Sequence, residues 1–233
     1  MMKEKKILII GASSGIGKSI AQMLSDQGVE VISASRNNPS LAGVTHYDLD
    51  ITDPSPDLSF IPEVLDGLVY CPGTINLKPF HRLSIEDFQS DLDINLMGAI
   101  KVLQGAFKSL KKAETASVVL FSTVAAKLGM NFHSSIATAK GAIEGLGKSL
   151  AAEWSMHQIR VNILSPSLTE TPLAERLLAN EDKKEASNKR HPIGRFGQPE
   201  DLAHSALLLL SDQSSWITGQ VIGIDGGVGS LKP

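Results

Sequence analysis

Seven residues near the N-terminus, Gly11-Ala12-Ser13-Ser14-Gly15-Ile16-Gly17, are the first whose types and spacing point to chemistry. They follow an aliphatic run, Lys6-Ile-Leu-Ile-Ile10, and open a helical pattern in which Ile16, Ile20 and Leu24 recur, with Met23 beside them, up to Gly28. Between a strand and a helix, glycines allow a tight turn and close backbone approach, while free amides and the helix dipole attract a phosphate. The chemistry expected there is recognition of a dinucleotide pyrophosphate. A second group, Arg36, ends the run Val31-Ile32-Ser33-Ala34-Ser35. An acidic residue at that place binds a ribose 2′-hydroxyl and repels a 2′-phosphate, whereas a guanidinium pairs with the phosphate through charge-assisted hydrogen bonds. Ser13, Ser35 and Asn37 add uncharged donors around it. The expected cofactor is therefore NADP(H), with NAD(H) as the alternative.

Such groups need strands to end beside one another. Short apolar runs at Lys6–Ile10, Val29–Ser33, Leu68–Cys71, Ser117–Phe121, Arg160–Leu164 and Gln220–Ile224 alternate with helical patterns. That alternation is the mark of βαβ units around a parallel sheet. It predicts an α/β fold of three layers, a doubly wound sheet of six or seven strands, and a crevice at the strands' carboxyl ends. Pro54, Pro56 and Pro62 predict a short, irregular crossover over 53–62. No repeat or long linker divides residues 1–233, which read as a single domain.

The spacing G-x-x-x-G-x-G differs from the commoner dinucleotide fingerprint and resembles that of the short-chain dehydrogenase/reductase family, including its acyl-carrier-protein reductases. Asp50-Ile51-Thr52-Asp53 resembles the family's adenine-contacting pair, and Tyr70-Cys71-Pro72-Gly73 stands where the family has Asn-Asn-Ala-Gly, with only Gly73 matching. Asn95 matches the asparagine of the family's active-site tetrad. Pro166-Ser167-Leu168-Thr169-Glu170-Thr171 resembles the loop that closes over the nicotinamide, with Ser167 replacing the usual glycine. The stretches Gly194–Asp201 and Ile217–Gly227 are family-like as well. The resemblance implies a Rossmann-type fold, with cofactor contacts from Gly11, Ser13, Ser14, Gly15, Ile16, Gly17, Ser35, Arg36, Asp50, Ile51, Gly73, Pro166, Ser167, Thr169 and Thr171. It also implies hydride transfer between a nicotinamide and a small carbonyl/alcohol substrate, a substrate lid over about 168–195, and a homodimer or homotetramer.

The family places Tyr-x-x-x-Lys on one helix, where the tyrosine exchanges a proton with the substrate and the lysine holds the nicotinamide ribose. Residues four apart share a helical face. Here Lys140 matches the lysine, but Ile136 stands at the tyrosine position; the chain's two tyrosines, Tyr47 and Tyr70, align elsewhere. Thr123 lies thirteen residues before Ile136, the family's separation between its serine and tyrosine. Ser122 is the neighbouring hydroxyl, but strand alternation sends it to the opposite face. Asn95, Thr123 and Lys140 thus surround an absent acid, since isoleucine exchanges no proton. His133, one helical turn before Ile136, or Lys140 acting through a water, are the substitutes considered. Ser134 and Ser135 beside His133 read as helix N-cap residues. Two function classes follow: an oxidoreductase with a nonstandard proton donor, or a catalytically silent homologue that binds a dinucleotide or scaffolds and regulates a partner.

Composition narrows the partners. With 42% hydrophobic and 20% charged residues, the chain has a globular balance. Its 22 basic and 25 acidic residues give a net charge of −3, with no basic excess to suggest nucleic acid or an anionic membrane. Cys71 is the only cysteine, which excludes an intrachain disulfide and a cysteine-rich metal site and fits a cytoplasmic setting. The N-terminal apolar run is too short for an export signal or a spanning helix. Within the expected specificity segment, Pro172 to His191, Leu173, Leu177 and Leu178 recur at helical spacing, suited either to a pocket or to lid packing. Lys183-Lys184 and Lys189-Arg190 read as a solvated face, His81 and His191 as surface residues, and an acidic carrier protein as a weaker partner.

Overall fold

A strand carrying an unbroken apolar run, such as Ile7 to Ile10, has to be covered on both faces. In the computed structural model, which describes Met2 and residues 4–232, the first strand meets that condition. The chain runs through β1 (Lys6–Ile10), α1 (Gly15–Asp26), β2 (Glu30–Ser35), β3 (Val44–Asp48) and β4 (Gly67–Tyr70). Next come α2 (Ile85–Leu92), a π-helical turn (Asp93–Met97), α3 (Gly98–Leu110), β5 (Ala116–Phe121), α4 (Val124–Lys127) and α5 (Ser134–Trp154). The remainder holds β6 (Ile159–Pro166), a 3-10 helix (Pro172–Leu177), α6 (Glu181–Arg190), α7 (Pro199–Leu210) and β7 (Val221–Ile224).

The strands form one parallel sheet of seven, ordered β3-β2-β1-β4-β5-β6-β7. Alternation splits the core between its faces. Ile7 and Ile9 join Ile20 and Leu24 of α1 and Leu202 and Ala206 of α7, whereas Leu8 and Ile10 join Val102 and Leu103 of α3 and Ile143 of α5. Chain order reverses at β1, whose Ile10 pairs with Ala34 on one side and Tyr70 on the other. A crevice therefore opens past the carboxyl ends of β1 and β4, the place where a doubly wound sheet binds ligands.

One strand escaped the sequence reading. Val44-Thr45-His46-Tyr47-Asp48 is an edge strand, half-exposed and polar at most positions, so it lacks the apolar run by which the buried strands were recognised. Its pairing also explains why β2 extends beyond the expected end at Ser33: Ala34 and Ser35 continue the ladder against Tyr47 and Asp48. The crossover to β4 is irregular, as the prolines required. Three Asx turns shape it, with Thr52, Ser55 and Ser59 amides each donating 2.9 Å bonds to Asp50, Asp53 and Asp57 respectively.

Candidate active site

The first turn is built for close approach. Gly11 has φ +83, and a Cβ on Gly17 would lie 2.3 Å from Gly11 O. Ser14 caps α1 in an extended conformation with no side-chain cap bond, which leaves the amides of the first turn open toward the crevice. The crevice, of about 350 Å³, takes its walls from Gly11, Ser13, Ser14, Gly15, Ile16 and Gly17, from Ser35, Arg36 and Asn37, and from Asp50, Ile51, Gly73 and Thr171. Arg36 is exposed and makes no ion pair among the described residues. Ser35 is less free than expected, because its hydroxyl donates to Asn37 O at 2.9 Å. Thr52 holds the Asp50 carboxyl below the usual carboxylate range through side-chain and backbone hydrogen bonds, with Arg36 contributing. A cradle that any Cβ would fill, open amides and a free guanidinium fit the phosphates of a dinucleotide.

A second cavity, of about 470 Å³, adjoins the first at Ile16, Cys71, Gly73, Thr171 and Leu173. Thr123, His133, Ile136, Lys140, Pro166, Ser167 and Thr169 all line it. Ile136 and Lys140 sit one turn apart on α5, both buried. Lys140 Nζ donates to Phe121 O at 2.9 Å, and burial pulls its ammonium down to about 8 against the opposing influence of Cys71 and Asp91. Burial likewise pushes the Cys71 thiol up to about 12. Ser122 Oγ donates to Glu144 Oε1 at 2.6 Å, whereas Thr123 Oγ1 accepts from Ala125 N at 3.3 Å as the cap of α4. The cap of α5 is His133 itself, without a side-chain cap bond, so Ser134 and Ser135 lie inside the helix instead of capping it. His133 Nδ1 lies 2.6 Å from Asn131 O.

Asn95 is brought behind the cavity and not into its wall. It sits fully buried on the π turn, where its Nδ2 donates to Thr74 Oγ1 at 2.9 Å and Asp91 O at 2.8 Å. Thr74 and Asp91 were missed by the sequence reading, although Asp91 and Asn95 are spaced i, i+4 and Thr74 directly follows Gly73. Both tyrosines are committed elsewhere. Tyr70 is buried in β4 with its hydroxyl donating to Ile94 O at 2.6 Å, and Tyr47 stacks on Phe60 in the edge strand. Burial also pushes the Tyr70 phenol above the usual tyrosine range.

His191 corrects an expectation. It is 2% exposed, not a surface residue, because its ring bridges Ser187 O at 2.6 Å and Ser167 Oγ at 2.9 Å. His81 is exposed. Leu173 and Leu177 line the second cavity, whereas Leu178 is buried. Lys183 and Arg190 also line the cavity and so are not simply part of a solvated face; Lys183 Nζ donates to Arg176 O at 2.8 Å. Among the described residues, no His/Cys/Asp/Glu group could hold a metal, and no helix is long and apolar enough to cross a membrane.

A family model described as Enoyl-(Acyl carrier protein) reductase matches residues 11–229. The chain is 33% identical over 244 residues to the 3-oxoacyl-(acyl-carrier-protein) reductase of Thermotoga maritima, covering 97% of this chain and 98% of that one. Its fold is similar to that of the ligand-free aldohexose dehydrogenase of Thermoplasma acidophilum, with a TM-score of 0.93 and 28% identity over 100% of this chain and 96% of that one. It is also similar to a candidate 2-deoxy-d-gluconate 3-dehydrogenase of Agrobacterium tumefaciens with bound NADP, with a TM-score of 0.92 and 30% identity over 99% and 98% of the two chains.

Proposed function

The chain belongs to the short-chain dehydrogenase/reductase family, and from that premise we propose that it is an NADP(H)-dependent oxidoreductase acting on a carbonyl/alcohol pair with a proton donor other than tyrosine. The observation that carries this reading is the junction of the two cavities, where the phosphate cradle continues past Gly73 into an apolar chamber holding Lys140 and Thr123. When bound, NADP(H) supplies or accepts the hydride. In this reading Gly11 to Gly17 hold its phosphates, Arg36 pairs with the 2′-phosphate, Asp50 and Ile51 flank the adenine, and Lys140 holds the nicotinamide ribose. Pro166, Ser167, Thr169 and Thr171 face the nicotinamide, Thr123 orients the substrate oxygen, and the segment over about 168–195 closes the chamber. Ile136 takes the family's tyrosine position. His133 and a water on Lys140 are the proton carriers that the sequence itself suggested.

One observation favours a second reading: the tyrosine position is filled by a side chain that is 5% exposed and cannot carry a proton. A catalytically silent, dinucleotide-binding homologue would show the same feature. Titration of the purified protein with NADPH, read by cofactor fluorescence, tests binding, and loss of NADPH absorbance across a panel of carbonyls tests turnover. Binding without turnover on any carbonyl selects the silent reading; no binding overturns both.

A further inference from the structure

Behind the cavity wall lies an acid that the family comparison does not assign. Asp91 is 1% exposed, and its Oδ2 has no hydrogen-bond partner among the described residues. Its Oδ1 accepts a 2.5 Å hydrogen bond from Thr74 Oγ1, and Thr74 lines the cavity. A carboxylate stripped of water is costly to bury without partners, so one with a single side-chain donor and an unpartnered oxygen calls for an explanation. Asn95 supplies part of it. Its Nδ2 donates to Thr74 Oγ1 at 2.9 Å and fixes the hydroxyl so that its proton points at Asp91, while Asn95 Oδ1 is itself unpartnered. The arrangement borders the reacting end of the chamber: a Cβ built on Gly73 would lie 3.4 Å from Asn95 Oδ1 and 3.6 Å from Lys140 Nζ.

We propose that Thr74 and Asp91 form the proton path of this site, the Thr74 hydroxyl exchanging a proton with the substrate oxygen and Asp91 taking or returning it from behind. This rests on the carbonyl/alcohol reading above. In the oxidising direction the alcohol O–H bond breaks and its proton passes to Thr74 Oγ1, as the Thr74 proton passes to Asp91 Oδ1. The carbinol C–H bond breaks with its electron pair leaving as hydride to the oxidised nicotinamide, and the C=O bond forms. Reduction is the reverse, with the proton returning from Asp91 through Thr74 to the carbonyl oxygen. Thr74 is the catalytic residue of the pair, because it lines the cavity that would take the substrate; Asp91 acts through it, and Asn95 positions it.

The test uses the whole protein and two kinds of measurement. Without ligand, NMR of the lysine side chains follows the Lys140 ammonium as pH rises. Asp91→Asn keeps the hydrogen bond from Thr74 but removes the charge that supports the ammonium, so the Lys140 midpoint moves below about 8. An unmoved midpoint overturns the proposal whether or not the protein turns over. In turnover with NADPH, Asp91→Asn and Thr74→Val each lower kcat by about 10²–10⁴-fold, the usual worth of a positioned acid or base. At a pH below the Lys140 midpoint of every variant, so that the ammonium stays charged, KM and the NADPH dissociation constant change by less than about threefold, the signature of a group used in the reaction step and not in binding. Thr74→Ser, which keeps the hydroxyl, restores turnover. Wild-type kcat in Asp91→Asn or in Thr74→Val overturns the proposal. A wild type that binds NADPH and reduces no carbonyl instead removes the functional reading on which it stands, and this path with it.

Discussion

Ser167 Oγ and His191 Nε2 meet at 2.9 Å, joining the loop after β6 to the end of α6. The other ring nitrogen lies 2.6 Å from Ser187 O, which can only accept, so Nδ1 carries the proton and Nε2 accepts from the serine. His191 thereby clips the loop after β6 to the last turn of α6. His191→Ala should lower stability by about 1–3 kcal/mol, because two polar groups lose their buried partner. Urea denaturation checks the loss, and limited proteolysis should show faster cleavage within 168–195 than in the wild type.

Arg36 lines the crevice with no ion-pair partner among the described residues, and the proposed function pairs it with a 2′-phosphate. Arg36→Ala should weaken NADPH binding by about 10–100-fold, the loss of one charge-assisted pair, and leave NADH nearly unchanged. Parallel fluorescence titrations with the two cofactors check this. Equal wild-type affinities for NADPH and NADH would remove the arginine's proposed role.

Burial lowers the Lys140 ammonium to about 8, so the charged form prevails below that pH and is lost above it. Since the proposed grip on the nicotinamide ribose uses the ammonium's donors, NADPH affinity should fall as pH rises through about 8. Lys140→Met should bind more weakly at neutral pH and lose this dependence. Dissociation constants measured from neutral to alkaline pH decide the point.

Ile136→Tyr places a phenol one turn from Lys140, beside the 470 Å³ cavity. In an Asp91→Asn background the new phenol should raise carbonyl reduction by about 10²-fold, within the usual worth of a general acid. With Asp91 intact the gain should be much smaller, because a proton path is already present. The larger ring costs about 1–3 kcal/mol where the space is tight, so thermal unfolding has to accompany the kinetics.

Gly141 and Gly145 on α5 have no heavy atom within 4 Å of where a Cβ would stand. A helix of the same kind from a second copy could approach closely there, in keeping with the symmetric assemblies usual for such chains. Light scattering at micromolar concentration should give at least twice the 24.9 kDa chain mass, and Gly145→Leu should lower it. A wild-type mass of one chain would rule the interface out.

The sequence by itself determined the architecture and pointed to a phosphate-binding turn. Buried parallel strands are predominantly apolar, and a phosphate turn needs glycines at fixed offsets, so both leave marks that local reading detects. The edge strand Val44–Asp48 left none, because half-exposed positions are free to be polar. Tertiary structure alone decided the polar wiring. Thr74, Asp91 and Asn95 come from a loop, from α2 and from the π turn, and Ser167 meets His191 across 24 residues. Taken alone, His191 reads as a surface residue, and Thr74 and Asp91 carry no signal at all. They become an acid path and a clip only because the packed sheet and helices exclude water around them, which leaves each buried polar atom dependent on the partner that folding places beside it.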